Sequence, residues 1–259
     1  MVNIPPILER HAGAIFASLE PCLDLKPVRT QGGLQPLSSC LFGWPCLHHV
    51  GDWPRSPEGR PLAFIGQIYL PQLPRDALQR LPLLPQEGLL SLFFDLDEAP
   101  TGASPEDRYR FRVIWTPDDA GGRLIQPPAG AITLSEQRWE LEAALSERLP
   151  LEVDAAYRLG ALSEDEFLAY DALAGGLAPP CEHRLLGPAD WLDGDARGLC
   201  AEATSRLWPG GAWRLLWQVG GEPCLSEALG EDARLYVLIR EEDLAERRFL
   251  RSWVVLQRM

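Results

Sequence analysis

Lysine is almost missing from this chain: Lys26 is its only one, and arginine supplies the other cations. That scarcity carries no chemistry of its own, but other absences exclude whole classes. No run approaches the ~18 consecutive apolar residues of a membrane-spanning helix. The opening MVNIPPILERHAGAIFASLE lacks a basic stretch leading into an unbroken apolar one, so no secretory leader is read and the cytoplasm is the expected compartment. The six cysteines form no C-x-x-C pair and no dense framework, so free and mainly buried thiols are expected in a reducing compartment. No G-x-S-x-G, G-x-x-x-x-G-K-[ST] or G-x-G-x-x-G is present, which removes the motifs of a nucleophile elbow and of phosphate-cradling loops. Positive charge is also short. With 37 acidic against 24 basic residues the formal charge is −13, a field that repels nucleic acid and anionic lipid and attracts a basic protein.

What the chain does have is apolar material, 46% over 259 residues, enough for a substantial core. Its 24 prolines and 23 glycines are scattered, which favours many turns between short elements over long helices. Spacings near three and four from Pro5 to Leu19 predict an N-terminal amphipathic helix. Strands are predicted at 62–70, at 89–95, and in RYRFRVIWT, where Tyr109, Phe111, Val113 and Trp115 alternate with Arg110, Arg112 and Ile114.

The same phrases recur near the C-terminus as AWRLLWQVGG, ARLYVLIREEDL and RSWVVLQRM. The offset is 151 residues between Gln67 and Gln218 and 145 between Leu90 and Leu235, so loop lengths drift while strand order holds. CLHHVGDW and CEHRLLGPADW echo each other in the lead-ins. Between the repeats, 134–149 and 162–173 read as amphipathic helices, the second opened by Ser163 and Glu166 at capping-box spacing. The resulting expectation is an α+β protein of two related β-rich halves packed together. It divides into an N-terminal helix and linker (1–30), a first half (31–130), a helical insert (131–180) and a second half (181–259).

GRPLAFIGQIYL, LPQEGLLSLFFD, HRLLG and ARLYVLIREEDLAERRFLRSWVVLQ resemble the YwqG-like family over about residues 30–259, most specifically from Leu235 to Gln257. The matching positions include Gly59, Phe64, Gln67, Gly88, Phe93, His183, Gly187, Tyr236, Asp243 and Trp253; the match thins from Trp191 to Trp208. The resemblance implies a cytoplasmic protein of two sheet-containing halves with no established enzymatic activity. It also implies an immunity protein, of the kind that neutralises a type VI secretion nuclease toxin. It transfers no catalytic residue and calls for no cofactor.

The pairs Cys46/His48 and Cys181/His183 have i, i+2 strand spacing suited to zinc, but the echo between the repeats explains them without metal. Paired acids such as Asp95/Asp97 and Glu241/Glu242 are what any acidic chain shows. The expected function is therefore inhibition of a cognate toxin, basic and nuclease-like, with no direct contact to nucleic acid or membrane. The candidate surface comprises Asp95, Asp97, Glu98, Asp118, Asp119, Asp190, Asp193 and Asp195, with Trp191 as an aromatic anchor. The alternative is a small-ligand site or uncharacterised enzyme with a cleft between the halves, examined at Gln67, His183 and Gln218.

Overall fold

The structure is a computed structural model that describes residues 2–29, 35–117, 121–150, 159–177 and 181–259. Its strands are β1 (Glu20–Arg29), β2 (Cys40–Leu41), β3 (Cys46–Leu47), β4 (Ala63–Tyr69), β5 (Leu89–Phe94), β6 (Phe111–Thr116), β7 (Arg123–Leu124), β8 (Trp139–Arg148), β9 (Arg184–Leu185), β10 (Trp213–Gly220), β11 (Arg234–Arg240) and β12 (Trp253–Gln257). Its helices are α1 (Ala12–Ser18), α2 (Arg75–Arg80), α3 (Glu164–Gly176), α4 (Arg197–Thr204), α5 (Pro223–Leu229) and α6 (Glu241–Ala245).

Ten strands form one antiparallel sheet in the order β12-β11-β10-β9-β1-β8-β2-β4-β5-β6, while β3 and β7 pair apart. The sheet curls until its edges nearly meet: Phe111 of β6 stands edge-on to Trp253 of β12 with ring centroids 5.3 Å apart, and the Leu256 amide donates to the Thr101 carbonyl. It is a nearly closed barrel. Side chains fill it, as where the Trp217 indole of β10 reaches across to Gly66 of β4.

This corrects the α+β expectation of two packed halves. The segment 134–149, read as a helix, supplies β8, and the linker after the N-terminal helix supplies β1; the two pair over ten residues and fuse everything into one sheet. In β8, Trp139, Leu141, Ala143 and Leu145 fit a two-residue period as well as a helical one, and pairing with β1 decides between them. Opposite charges meet across that ladder at Lys26↔Glu142 and Glu20↔Arg148. Pro21 and Pro27 are tolerated in β1 because β9 covers only Leu23 and Asp24 on its other side.

The sheet order reads the same from either edge about β1 and β8. The strands carrying Gln67 and Gln218 thus take matching places within a single sheet. The likeness extends to backbone detail. β2 and β9 both end in a left-handed pair, Phe42–Gly43 and Leu186–Gly187, with φ of 58°, 72°, 56° and 69°. The amides of Phe42 and Leu186 donate to Ile65 and Leu216, each the extra residue of a bulge in β4 or β10.

The N-terminal segment forms a 3-10 turn (Pro6–His11) running into α1, and α3 packs on it through Leu8, Ile15, Tyr170 and Ala174. Ser163 and Glu166 make the expected capping box, with the Glu166 amide donating to Ser163 Oγ and the Ser163 amide to Glu166 Oε2. Glu166 also accepts from Arg10 at 2.6 Å, tying the two helical segments together.

Candidate functional site

The candidate acids fall into two places. β5 ends at Phe94, and the chain turns on Asp95, a buried carboxylate whose Oδ1 accepts the amides of Asp97 and Glu98. Its Oδ2 accepts from Arg110 at 2.9 Å, and Arg110 also holds Glu58 through two bonds of 2.8 and 2.9 Å. Arg60 reaches Asp97 at 3.4 Å and Glu98 at 3.0 Å. Four carboxylates therefore surround two guanidiniums, and Glu58, Asp97 and Glu98 remain exposed. Hydrogen bonds from Arg110 and Ser56 pull Glu58 down to about 2, so Glu58 stays anionic across the neutral range. Fixed negative charge of this kind suits guanidinium or ammonium groups brought by a partner.

The second place is the stretch 188–196, after β9. Asp190 binds the fully buried Arg184 with both oxygens, at 3.1 and 2.7 Å, and its carbonyl accepts from Tyr236 and Arg234. Trp191 lies half-buried with its ring 4.8 Å from that of Tyr236. Burial pushes the Tyr236 phenol up to about 12, so it acts as a hydrogen-bonding strut. Burial works to raise the Asp195 carboxyl, but hydrogen bonds from the Arg197 side chain and amide prevail and hold it low. Asp193 is exposed, on a backbone clamped by Gln257, which accepts from the amides of Leu192 and Asp193. Asp118 and Asp119 lie outside the described residues.

Gln67 and Gln218 are fully buried and hold backbone. Gln67 Oε1 accepts from the Cys46 amide at 2.9 Å while its Nε2 donates to the carbonyls of Pro36 and Ser38. Gln218 accepts from the Asp190 amide at 2.9 Å and donates to Glu182. His183 is buried with Nε2 3.0 Å from Glu222. None of the three lines either cleft described here. Cys46 and His183 do not come together: Cys46 sits in the small β3–β7 pair, whereas Cys181 Sγ donates to the His183 carbonyl beside β9.

Two open clefts indent the surface. One, of about 470 Å³, is bounded by Trp44, Pro127, Pro128, Glu136 and the buried Arg138, whose Nη1 and Nη2 donate to the Trp44 carbonyl and Ser38. The other, of about 250 Å³, lies at the β6–β12 seam between Arg108, Arg112 and Trp208. The sequence reading missed both, and missed the buried network in which Asp24 accepts from Arg148 and Arg184. A charged residue between Leu23 and Leu25 was the available signal, usable only once β1 is recognised as a strand.

Among the described residues no helix is long and apolar enough to cross a membrane. No curated protein matches the chain. A family model described as a domain of unknown function (DUF1963) matches residues 39–257, and the chain belongs to that family.

Proposed function

We propose that this protein is a YwqG-like immunity protein of the cytoplasm, without enzymatic activity, that binds and neutralises a basic nuclease toxin delivered by type VI secretion. One observation carries the reading: the chain commits its cations inward and leaves its anions outward. Arg110, Arg148, Arg184, Arg234 and Arg240 are all drawn into ion pairs within the fold. Exposed acidic residues outnumber exposed basic ones by more than two to one among the described residues.

A nuclease must hold a polyanion and so presents a basic groove. An acidic inhibitor steers rapidly toward such a groove and blocks it by covering either the active site or the substrate approach. The rim of Glu58, Asp97 and Glu98 is the part of the surface best suited to this, because its geometry is fixed before the partner arrives. Trp191 supports the core face of the second acidic loop and contributes part of its ring to the surface.

The test is capture of partners by the tagged chain from lysate of its own host at moderate salt, followed by stopped-flow kinetics on the purified pair. A stoichiometric basic nuclease domain whose association slows steeply with salt supports the reading. Within that pair, Glu98→Gln is expected to lower the association rate more than it raises dissociation. Association rates that ignore salt, or a captured partner with no basic surface, would remove the electrostatic mechanism.

A further inference from the structure

The seam where β6 and β12 approach carries an arrangement that the acidic surface does not explain. Three other shielded arginines, Arg110, Arg184 and Arg240, face carboxylates. Arg112 is half-buried and faces none among the described residues. Its Nη1 donates to the carbonyls of Arg108 (2.9 Å) and Phe111 (2.7 Å), leaving Nε and Nη2 without a described partner. Burial lowers its pKa, opposed only by the nearby Tyr109. Arg108 lies beside it, its guanidinium 4.4 Å above the Tyr109 ring and bonded to the Tyr109 hydroxyl. Ser252 is 2% exposed, and its Oγ has no hydrogen-bond partner among the described residues. A buried polar group left unpaired costs stability, and an ordered water or a ligand entering the cleft would complete it. The remaining walls are apolar: Phe111, Val113, Trp208 and Leu250.

We propose that this cleft binds a small aromatic monocarboxylate, its carboxylate held between Arg108 and Arg112 and its ring set against Trp208. Paired guanidiniums match a carboxylate in charge and in geometry. A bare inorganic anion would leave the Trp208, Val113 and Leu250 surfaces unmet. The volume, about 250 Å³, is that of roughly eight liquid waters, enough for a single substituted ring.

The experiment titrates the full chain with benzoate, following the Trp208 indole N–H by two-dimensional NMR, with benzamide and inorganic phosphate as parallel probes. Saturable benzoate binding at that signal is expected, weakened at least about tenfold in Arg112→Gln and for benzamide, as loss of a charge-assisted pair implies. Arg108→Gln, an alteration nearer the surface, should weaken it in the same direction and keeps the test decisive if Arg112→Gln fails to fold. Arg75→Gln, on α2, should leave it unchanged. The proposal is overturned if benzoate does not saturate, if benzamide binds as tightly, if phosphate binds as tightly as benzoate, or if Arg75→Gln weakens binding equally. The toxin-binding reading stands or falls separately, because neither arginine belongs to the acidic rim.

Discussion

Replacing Gln67 by methionine keeps the shape and apolar stem of a buried side chain while deleting both ends of its clamp. The Cys46 amide loses its acceptor, and the Pro36 and Ser38 carbonyls lose a donor. An orphaned buried amide costs about 1–3 kcal/mol, and a carbonyl with another donor costs less. Ser38 is such a case, since Arg138 Nη2 also donates to its carbonyl. The sum is a destabilisation of about 2–4 kcal/mol, measured as a lower urea midpoint at unchanged slope. Hydrogen exchange of the Cys46 amide should accelerate more than that of β11 amides such as Val237. Gln67→Glu should be worse than Gln67→Met at neutral pH, because its carboxylate can accept from Cys46 but faces two carbonyls and buries a charge. A loss below about 1 kcal/mol, or unaltered Cys46 exchange, would refute the argument that this glutamine ties the start of β3 to the segment before β2.

Asp243 is fully buried and accepts from Arg240 at 2.6 Å and Arg248 at 2.6 Å, so Asp243→Asn leaves the buried Arg240 with only the exposed Glu242 as a charge partner and should cost about 3 kcal/mol in chemical denaturation. Gly66→Ala places a Cβ 2.7 Å from the Cys40 carbonyl and 3.1 Å from Trp217, and overpacking against backbone should cost about 1–3 kcal/mol, read as a lower Tm. The backbone and side chain of Ser163, together with Arg10, hold Glu166 at about 2, below its ordinary 4.5. Between those values the unfolded chain binds the extra proton, so this contribution is complete above about pH 4.5 and fades as pH falls toward 2. Acid titration of Glu166→Gln should therefore show a shallower fall in stability across that window than the parent chain shows.

The strands with strong alternation or continuous apolar runs were legible: β4, β5 and β6, and their C-terminal echoes β10, β11 and β12. The two that join them were not. β8 is written in glutamate, alanine and leucine, residues with helical propensity, and only its ten-residue ladder with β1 overrides that preference. β1 carries two prolines, a local argument against a strand that fails because β9 is just two residues long. The acidic candidates were legible as charge but not as geometry. Nothing in DLDE says that Asp95 turns inward to Arg110 while Asp97 and Glu98 stay out. The seam cleft was hidden for another reason: Arg108, Arg112, Trp208 and Ser252 meet only when the two ends of the sheet order come together.

That meeting also explains why one short stretch serves two surfaces. From Arg108 to Arg112 the chain passes out of a 3-10 turn (Pro105–Tyr109) into β6, and its three arginines diverge. Arg110 points to Glu58 and Asp95, where it sets the acidic rim, while Arg108 and Arg112 line the seam. The Arg110 carbonyl accepts the Asp95 amide at 2.8 Å, so the backbone here is fixed from the rim side. Arg112 Nη1 ties the carbonyls of Arg108 and Phe111 from the cleft side. A half-buried cation that faces no carboxylate among the described residues loses part of its hydration without a charge partner in return. Arg112 thus holds the strand start with Nη1 and leaves the rest of its guanidinium to the cleft, where an anion arriving from outside completes the pairing.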